Sequence, residues 1–373
     1  KRSIIRDGDI LYSIAGANLG KCGIARREHL PANTNQAVAI IRVDGSRASN
    51  RFISFYLRNS KFVQAVLGSV AQSAQPNVNL GEIGRFKIPS FSLREQHAIA
   101  SVLGALDDKI ELNRRMNETL EAMARAIFKD WFVDFGPTRA KMEGRAPYLA
   151  PEIWSLFPHS LNGDGKPEGW RRINLREAAE ISSGGTPNKS DPVYWNGSIP
   201  WISPKVMTGL HVTDSDQRVT PAAVGNGTRL APLGSVLLMV RGMGLHQGVR
   251  VSQARNDVAF NQDVKALVPR QISAAHLLFG MLDATPYLFS KVEASGHGTG
   301  TLPTGIIETV EFVSPNAEVY NELVAPIDLL NEKIALNNQE SVTLAATRDL
   351  LLPKLMSGEI RVREAEAIVG TVA

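Results

Sequence analysis

A single cysteine, Cys22, stands in 373 residues, so no disulfide can form within the chain, and a reducing cytoplasm is its expected location. Long apolar runs are lacking too. The nearest candidate, residues 277–289, falls short of the roughly 20 residues that cross a bilayer and is interrupted by Asp283 and Pro286, so no membrane partner is expected. No secretory signal is legible, and because the chain opens on Lys1 rather than methionine, its natural start is expected further upstream. An excess of one charge is also missing: 41 Lys and Arg against 37 Asp and Glu leave +4. So small a surplus permits a nucleic-acid partner without demanding one, because a local basic stripe matters more than the total. The seven histidines, at positions 29, 97, 159, 211, 246, 276 and 297, keep no ligand spacing, and no metal is expected. What is present, 43% hydrophobic and 21% charged residues, is the composition of a folded chain long enough for two or three domains.

The chain repeats itself. Asp7-Gly8-Asp9-Ile10-Leu11-Tyr12-Ser13-Ile14 aligns with Leu233-Gly234-Ser235-Val236-Leu237-Leu238-Met239-Val240, and Asn35-Gln36-Ala37-Val38 aligns with Asn261-Gln262-Asp263-Val264, both at an offset of 226. Leu106-Asp107-Asp108-Lys109-Ile110-Glu111-Leu112-Asn113 aligns with Leu330-Asn331-Glu332-Lys333-Ile334-Ala335-Leu336-Asn337 at an offset of 224. An offset that drifts so little over such a distance predicts a tandem duplication. Each copy opens with short apolar runs punctuated by glycine and proline, which predicts a mixed domain of several short strands.

A long helical segment comes next in each copy. Leu103, Leu106, Ile110, Asn113, Asn117, Leu120, Ala124, Ile127 and Trp131 alternate steps of three and four, as do Ile327, Leu330, Ile334, Asn337, Ser341, Leu344, Arg348, Leu351 and Leu355. Such spacing makes a narrow seam suited to coiled-coil pairing. Both seams turn polar at the same place, Asn113 and Asn117 in one and Asn337 and Ser341 in the other, and a buried polar layer fixes register at some loss of stability. The expected arrangement is antiparallel pairing along Leu106, Ile110, Asn113, Leu120 and Leu330, Ile334, Asn337, Leu344. The alternative is two amphipathic helices, each packed on its own domain. A helix over 92–135 would be about 60 Å long at 1.5 Å per residue, which suits a paired spacer between two similar domains.

Several segments carry a family resemblance. Pro167-Glu168-Gly169-Trp170, Ser183-Gly184-Gly185-Thr186-Pro187, Tyr194-Trp195-Asn196-Gly197 and Ile199-Pro200-Trp201-Ile202-Ser203 look like the opening of a target recognition domain. Trp131-Phe132-Val133-Asp134-Phe135 with Ala140-Lys141-Met142-Glu143-Gly144, and Arg348-Asp349-Leu350-Leu351-Leu352-Pro353-Lys354-Leu355-Met356-Ser357-Gly358-Glu359-Ile360, are similar to central and C-terminal conserved segments. Together they resemble the specificity subunits of Type I restriction–modification enzymes. The resemblance implies an α+β chain with pseudo-twofold duplication, in which two target recognition domains are separated by two long antiparallel helices. The expected divisions are a first recognition domain over 1–91, a long helix over 92–135, a linker over 136–168, a second recognition domain over 169–316, a second helix over 317–357 and a tail over 358–373. It also implies that each domain reads half of a bipartite site in double-stranded DNA. The helices would set the gap and dock two methyltransferase subunits, with motor-nuclease subunits joining through the complex. Copy one departs from the pattern, because the offset of 226 puts the counterpart of residues 167–226, roughly sixty residues, before Lys1.

No catalytic role is expected of the chain itself, and no cofactor. Asp191-Pro192-Val193-Tyr194 and Val240-Arg241-Gly242-Met243-Gly244 imitate methyltransferase loops, each with one key residue wrong. Gly20-Lys21-Cys22 imitates a P-loop, Asp134-Phe135-Gly136 a kinase motif and Asp107-Asp108-Lys109 a nuclease motif, without the residues that would complete them. What the chain offers is hydrogen-bond donors in turns. Lys189, Ser190, Lys205, Arg241, His246, Gln247 and Arg250 in copy two, with Lys21, Arg26 and Arg27 in copy one, are the candidate DNA contacts. Asn35-Gln36 and Asn261-Gln262, shared by both copies, are expected to serve structure or the DNA backbone instead. Two other functions compete: the recognition part of a fused single-chain restriction–methylation enzyme, and a helical scaffold that binds only proteins.

Overall fold

The computed structural model describes residues 3–70, 77–294 and 298–371, which places His297 outside the described residues. The chain divides into two compact units, the first made of residues 1–115 and 337–373 and the second of residues 116–336. In unit 1, β1 (Ile10–Ser13) lies between β2 (Cys22–Ile24) and β3 (Val38–Ile41), antiparallel to both. Ile10 and Tyr12, two apart on the pleat, turn into the core. The helix Asn50–Arg58 closes over them, burying Phe52, Phe55 and Leu57, and the Ser49 hydroxyl caps it by accepting from the Phe52 N–H.

In unit 2, β4 (Ala179–Ser183), β5 (Val236–Met239), β6 (Val251–Ala254) and β7 (Val264–Pro269) form an antiparallel sheet in the order β4-β7-β5-β6, with His211–Val212 added parallel to β6. A second sheet joins Arg218–Val219, Trp195–Ile202, Val258–Phe260 and Arg229–Ala231. The helix Ala274–Asp283 packs on β5, β6 and β7, capped by Ser273.

The duplication is written in the hydrogen-bond register. Ile10 faces Ile41 and Ser13 faces Val38, while Val236 faces Leu267 and Met239 faces Val264, each pair displaced by 226. The bridge between Ile4 and Asn33 recurs as Leu230 opposite Ala259 at the same offset. Across the other edge Ile10 faces Ile24 and Val236 faces Gln253, an offset of 229, so the loop between these strands is three residues longer in copy two.

The long helices are α1 (Leu93–Phe128) and α2 (Ala317–Ser357), whose starts differ by 224. Ser92 and Glu95 form a capping box at the start of α1, each side chain bonding the other residue's backbone N–H. Regular α-helix stops at Phe128 rather than running to 135. A π turn over Lys129–Val133 carries Trp131 and Phe132 into the core, and Phe135, at φ 55, ends it. Phe128, Trp131, Phe132, Phe157 and Trp170 pile together there, and a regular helical stop gives no comparable aromatic packing. Residues 136–168 carry two short helices, Gly136–Met142 and Pro151–Ser155, and bury Phe157.

The helices run antiparallel and in contact. Within unit 1, Asp107 meets Arg348 at 2.7 Å, Lys109 meets Glu340 at 3.3 Å, and the Asn113 amide donates to the Asn337 carbonyl at 3.3 Å, so numbers rise along α1 as they fall along α2. Within unit 2, the Asn117 amide donates to the Ile334 carbonyl at 3.4 Å. Leu106, Asn113, Ile334, Asn337 and Leu344 are buried, and Ile110, Leu120 and Leu330 are half-buried. The final segment holds a helix, Val362–Val369, which seats Ala365 in the core of unit 1. No helix among the described residues is long and apolar enough to cross a membrane.

Candidate nucleic-acid interface

In both copies the first and second strands of the main hairpin are joined by a loop with a single 3-10 turn, Gly16–Asn18 in copy one and Met243–His246 in copy two. The strands flanking the loop keep their register between copies, while the loop changes length and composition. Copy two displays Arg241, Met243, His246 and Gln247 to solvent, Met243 being 70% exposed; copy one displays Lys21. The longer loop is braced from below. Arg241 and Gly242 pair with Thr301 and Gly300, the His246 ring nitrogen lies 3.0 Å from the Gly298 carbonyl, and Leu245 is buried. Gly242 supplies the φ of 124 that turns the chain into the loop.

The other candidate contacts are placed differently. Arg250 is half-buried and donates to the Pro204 carbonyl at 2.7 Å, tying the loop to the neighbouring turn that carries Lys205. Lys205 pairs with Asp216 at 2.7 Å. Lys189 and Ser190 sit exposed on a separate turn, where the Ser190 N–H bonds the Asn188 side chain. Arg26 reaches Asp108 at 3.8 Å and Glu28 at 3.9 Å. Lys21, Arg27, Lys189 and Arg241 have no ion-pair partner among the described residues. Of the ten candidates, then, Arg241, His246 and Gln247 share one loop, Arg250 and Lys205 flank it, and Lys189 and Ser190 stand apart.

Arg26 has an internal counterpart that the sequence did not disclose. At the offset of 229 it becomes Arg255, which grips Glu332 on α2 at 2.7 Å, and Glu332 is the counterpart of Asp108 on α1. Both copies thus tie an arginine just beyond their second strand to the same position of their long helix. Beside the clamp, copy one buries Asp107 between Arg58 and Arg348. Burial works to raise the Asp107 carboxyl, but the hydrogen bonds and charge of the two guanidinium groups outweigh it and hold the group below the usual carboxylate range. Copy two replaces this with a neutral set: Asn331 donates to Gln253 at 2.9 Å and meets His211 at 2.8 Å. Burial lowers the His211 pKa.

The segments that carried the family resemblance turn out to be framework. A Cβ on Gly184 would collide with the carbonyl oxygens of Phe260 and Asn261, and one on Gly185 with that of Gly227. Trp201 donates its indole N–H to the Gly185 carbonyl at 3.1 Å, and the Thr186 hydroxyl donates to Gln262 at 2.6 Å. The side-chain oxygens of Asn35 and Asn261 accept from the N–H two residues on, making the same turn into β3 and β7. The imitation motifs have local jobs as well. Asp191 caps the turn Pro192–Tyr194, Gly20 at φ 83 turns the chain into β2, and Asp107, Asp108 and Lys109 are all ion-paired. No group of three His, Cys, Asp or Glu among the described residues could hold a metal ion.

A family profile described as "Type I restriction modification DNA specificity domain" matches residues 1–122. Along 96% of its length, the chain is 24% identical to the Type I restriction enzyme HindI specificity subunit of Haemophilus influenzae, covering 88% of that protein. The chain is similar to Type I restriction specificity subunits along nearly its whole length. A second member, the MjaIX specificity subunit of Methanocaldococcus jannaschii, is 27% identical over 97% of this chain and 79% of its own. The Type I restriction–modification S subunit from M. genitalium shares the fold, with a TM-score of 0.54 at 14% identity, covering 95% of this chain and 84% of that one.

Proposed function

We propose that this chain is the sequence-reading subunit of a Type I restriction–modification complex, acting in the cytoplasm and without chemistry of its own. Two recognition domains, over 1–91 and 169–316, would each read one half of a bipartite site in double-stranded DNA. The helices over 92–135 and 317–357 would set the gap and dock two methyltransferase subunits, with motor-nuclease subunits recruited through the complex. The segments 136–168 and 358–373 serve as connector and tail.

One observation carries this reading: the two copies keep strand register residue for residue, yet the loop at the end of the shared hairpin differs in length and in donors. A constant scaffold that presents two different loops suits two different half-sites. Arg241, His246 and Gln247 have the donor chemistry to read base edges, and Lys21, Arg27, Lys189 and Ser190 to hold phosphates. Arg26, Lys205 and Arg250, each tied to protein partners, would work at the rim or orient the loops. The experiment maps methylated sites in a genome with the methyltransferase subunits present, before and after Arg241, His246 and Gln247 are changed together to alanine. One half-site should relax while the other keeps its sequence. An unchanged methylation pattern would defeat the assignment.

A further inference from the structure

One apolar side chain stands among the donors of the copy-two loop. Met243 is 70% exposed, and among the described residues only Leu329 is a large hydrophobic residue more exposed. Its backbone is held on both sides. Before it, Arg241 and Gly242 pair with Thr301 and Gly300. After it, Leu245 is fully buried, the Gln247 N–H donates to the Gly244 carbonyl at 3.0 Å, and the His246 ring nitrogen lies 3.0 Å from the Gly298 carbonyl. Met243–His246 is a 3-10 turn, with three residues per turn, so the side chains of Met243 and His246 leave the same edge of it while Leu245 enters the core. Arg241 and Gln247 are exposed as well.

A lone exposed apolar side chain on a protein surface is ordinary. This one is set apart by its place: a braced turn on which Arg241, His246 and Gln247 supply donors. At the offset of 226 its counterpart is Ala17, so the long apolar side chain belongs to copy two alone. A phosphate offers such a chain nothing to pack against. Of the four bases only thymine presents a methyl group in the major groove, and that methyl is read by apolar contact while donors read the acceptors beside it.

We propose that Met243 reads a thymine in one half-site by packing against its C5 methyl group, while Arg241 and Gln247 bond neighbouring base edges. The inference rests on the DNA-reading role proposed above and adds to it a residue that donates no hydrogen bond.

The chain with its methyltransferase subunits is titrated against duplexes of its mapped site. Each thymine of both half-sites is replaced in turn by deoxyuridine, which lacks only the methyl group. At one position, in the half-site that alanine at Arg241, His246 and Gln247 relaxes, uridine should weaken binding about four-fold, the worth of one buried methyl group. Met243→Ala should bind the thymine and uridine duplexes equally, and Met243→Leu should keep most of the discrimination. Thymines of the other half-site should show no dependence on Met243. A half-site without thymine, or a uridine effect that persists in Met243→Ala, would overturn the proposal. So would a uridine effect absent from the parent chain, combined with a loss on Met243→Ala that is equal on both duplexes; that result would assign the side chain to a wedge between base pairs. If the triple alanine change relaxes a half-site while uridine has no effect, the DNA-reading role stands and only the thymine contact falls. If the triple change alters nothing, that role falls and the thymine contact with it.

Discussion

Single residues divide into those the duplication exposes and those it hides. Asn35 and Asn261 were legible as structural because two domains proposed to read different sequences would have little reason to share a reading residue, and both make the same turn. The clamp of Arg26 and Arg255 was not, because a three-residue insertion hides their equivalence and each partner lies far along the chain. His276 was one scattered histidine in the sequence; it is fully buried against Phe128, Phe132 and Tyr320, and burial pushes its pKa down to about 3. In the unfolded chain it takes a proton near pH 6.5. Between those values the unfolded state binds more protons, so stability falls as pH falls, by up to about 1.4 kcal/mol per pH unit from this group. His276→Phe, which leaves the Tyr320 hydroxyl its bond from the Ser273 N–H, should flatten the dependence by about one proton between pH 4 and 6 in urea unfolding. Equal slopes in both proteins would refute it. Gly184→Ala tests the framework reading: its methyl group meets backbone oxygens that cannot swing aside, and a loss of about 1–3 kcal/mol is expected by the same method.

Elements were easier to read than residues, and the reason is periodicity. Steps of three and four over many turns fix the helix, its apolar seam and its polar layer at once, and both helices run through the whole polar layer, although each starts ten residues before the pattern, at Leu93 and Ala317. The π turn at Lys129–Val133 escaped, because its cause is the aromatic packing of segments distant in sequence. So did the ion pairs that lock the seam, since a charge at a seam position such as Arg348 reads as a defect until its partner is known. Asp107 is that partner, about four-fifths buried between two guanidinium groups. Asp107→Ala would leave Arg58 and Arg348 facing each other without their carboxylate, and about 1–3 kcal/mol of stability should go with it. The contribution has a pH signature. Because the folded carboxyl is held below its usual value, the stabilisation is complete above the ordinary carboxylate range and is lost as pH falls through the folded value. Thermal unfolding of the variant and the parent should therefore differ clearly at pH 7 and converge in strong acid. A constant difference across that range would assign the loss to packing and not to charge.

On the scale of the whole molecule, the proposed role of the helices as a ruler makes the sharpest demand. Four residues inserted into α1 after Asn117 would lengthen it by about 6 Å and rotate the remainder of the helix by only about 40°, keeping the seam nearly in phase. The observed pairing adds a condition that the sequence alone did not impose. α1 and α2 run antiparallel with Asn113 bonded at Asn337 and Asn117 at Ile334, so lengthening one helix alone would slide every later contact out of register. The insertion must be matched by four residues in α2 just before Ile334, so that the Asn113–Asn337 and Asn117–Ile334 bonds are both kept. DNA rises roughly 3.4 Å per base pair, so the tolerated gap between half-sites should grow by at most about two base pairs. The half-site sequences should not change, because the loops proposed to read them lie on the hairpins and not on the helices. Inserting into α1 alone should instead lower the unfolding temperature and cost activity at every spacing. Methylation mapping with the partner subunits present separates these outcomes. If the doubly lengthened protein alters its half-sites while the gap stays fixed, the helices do not measure the spacer.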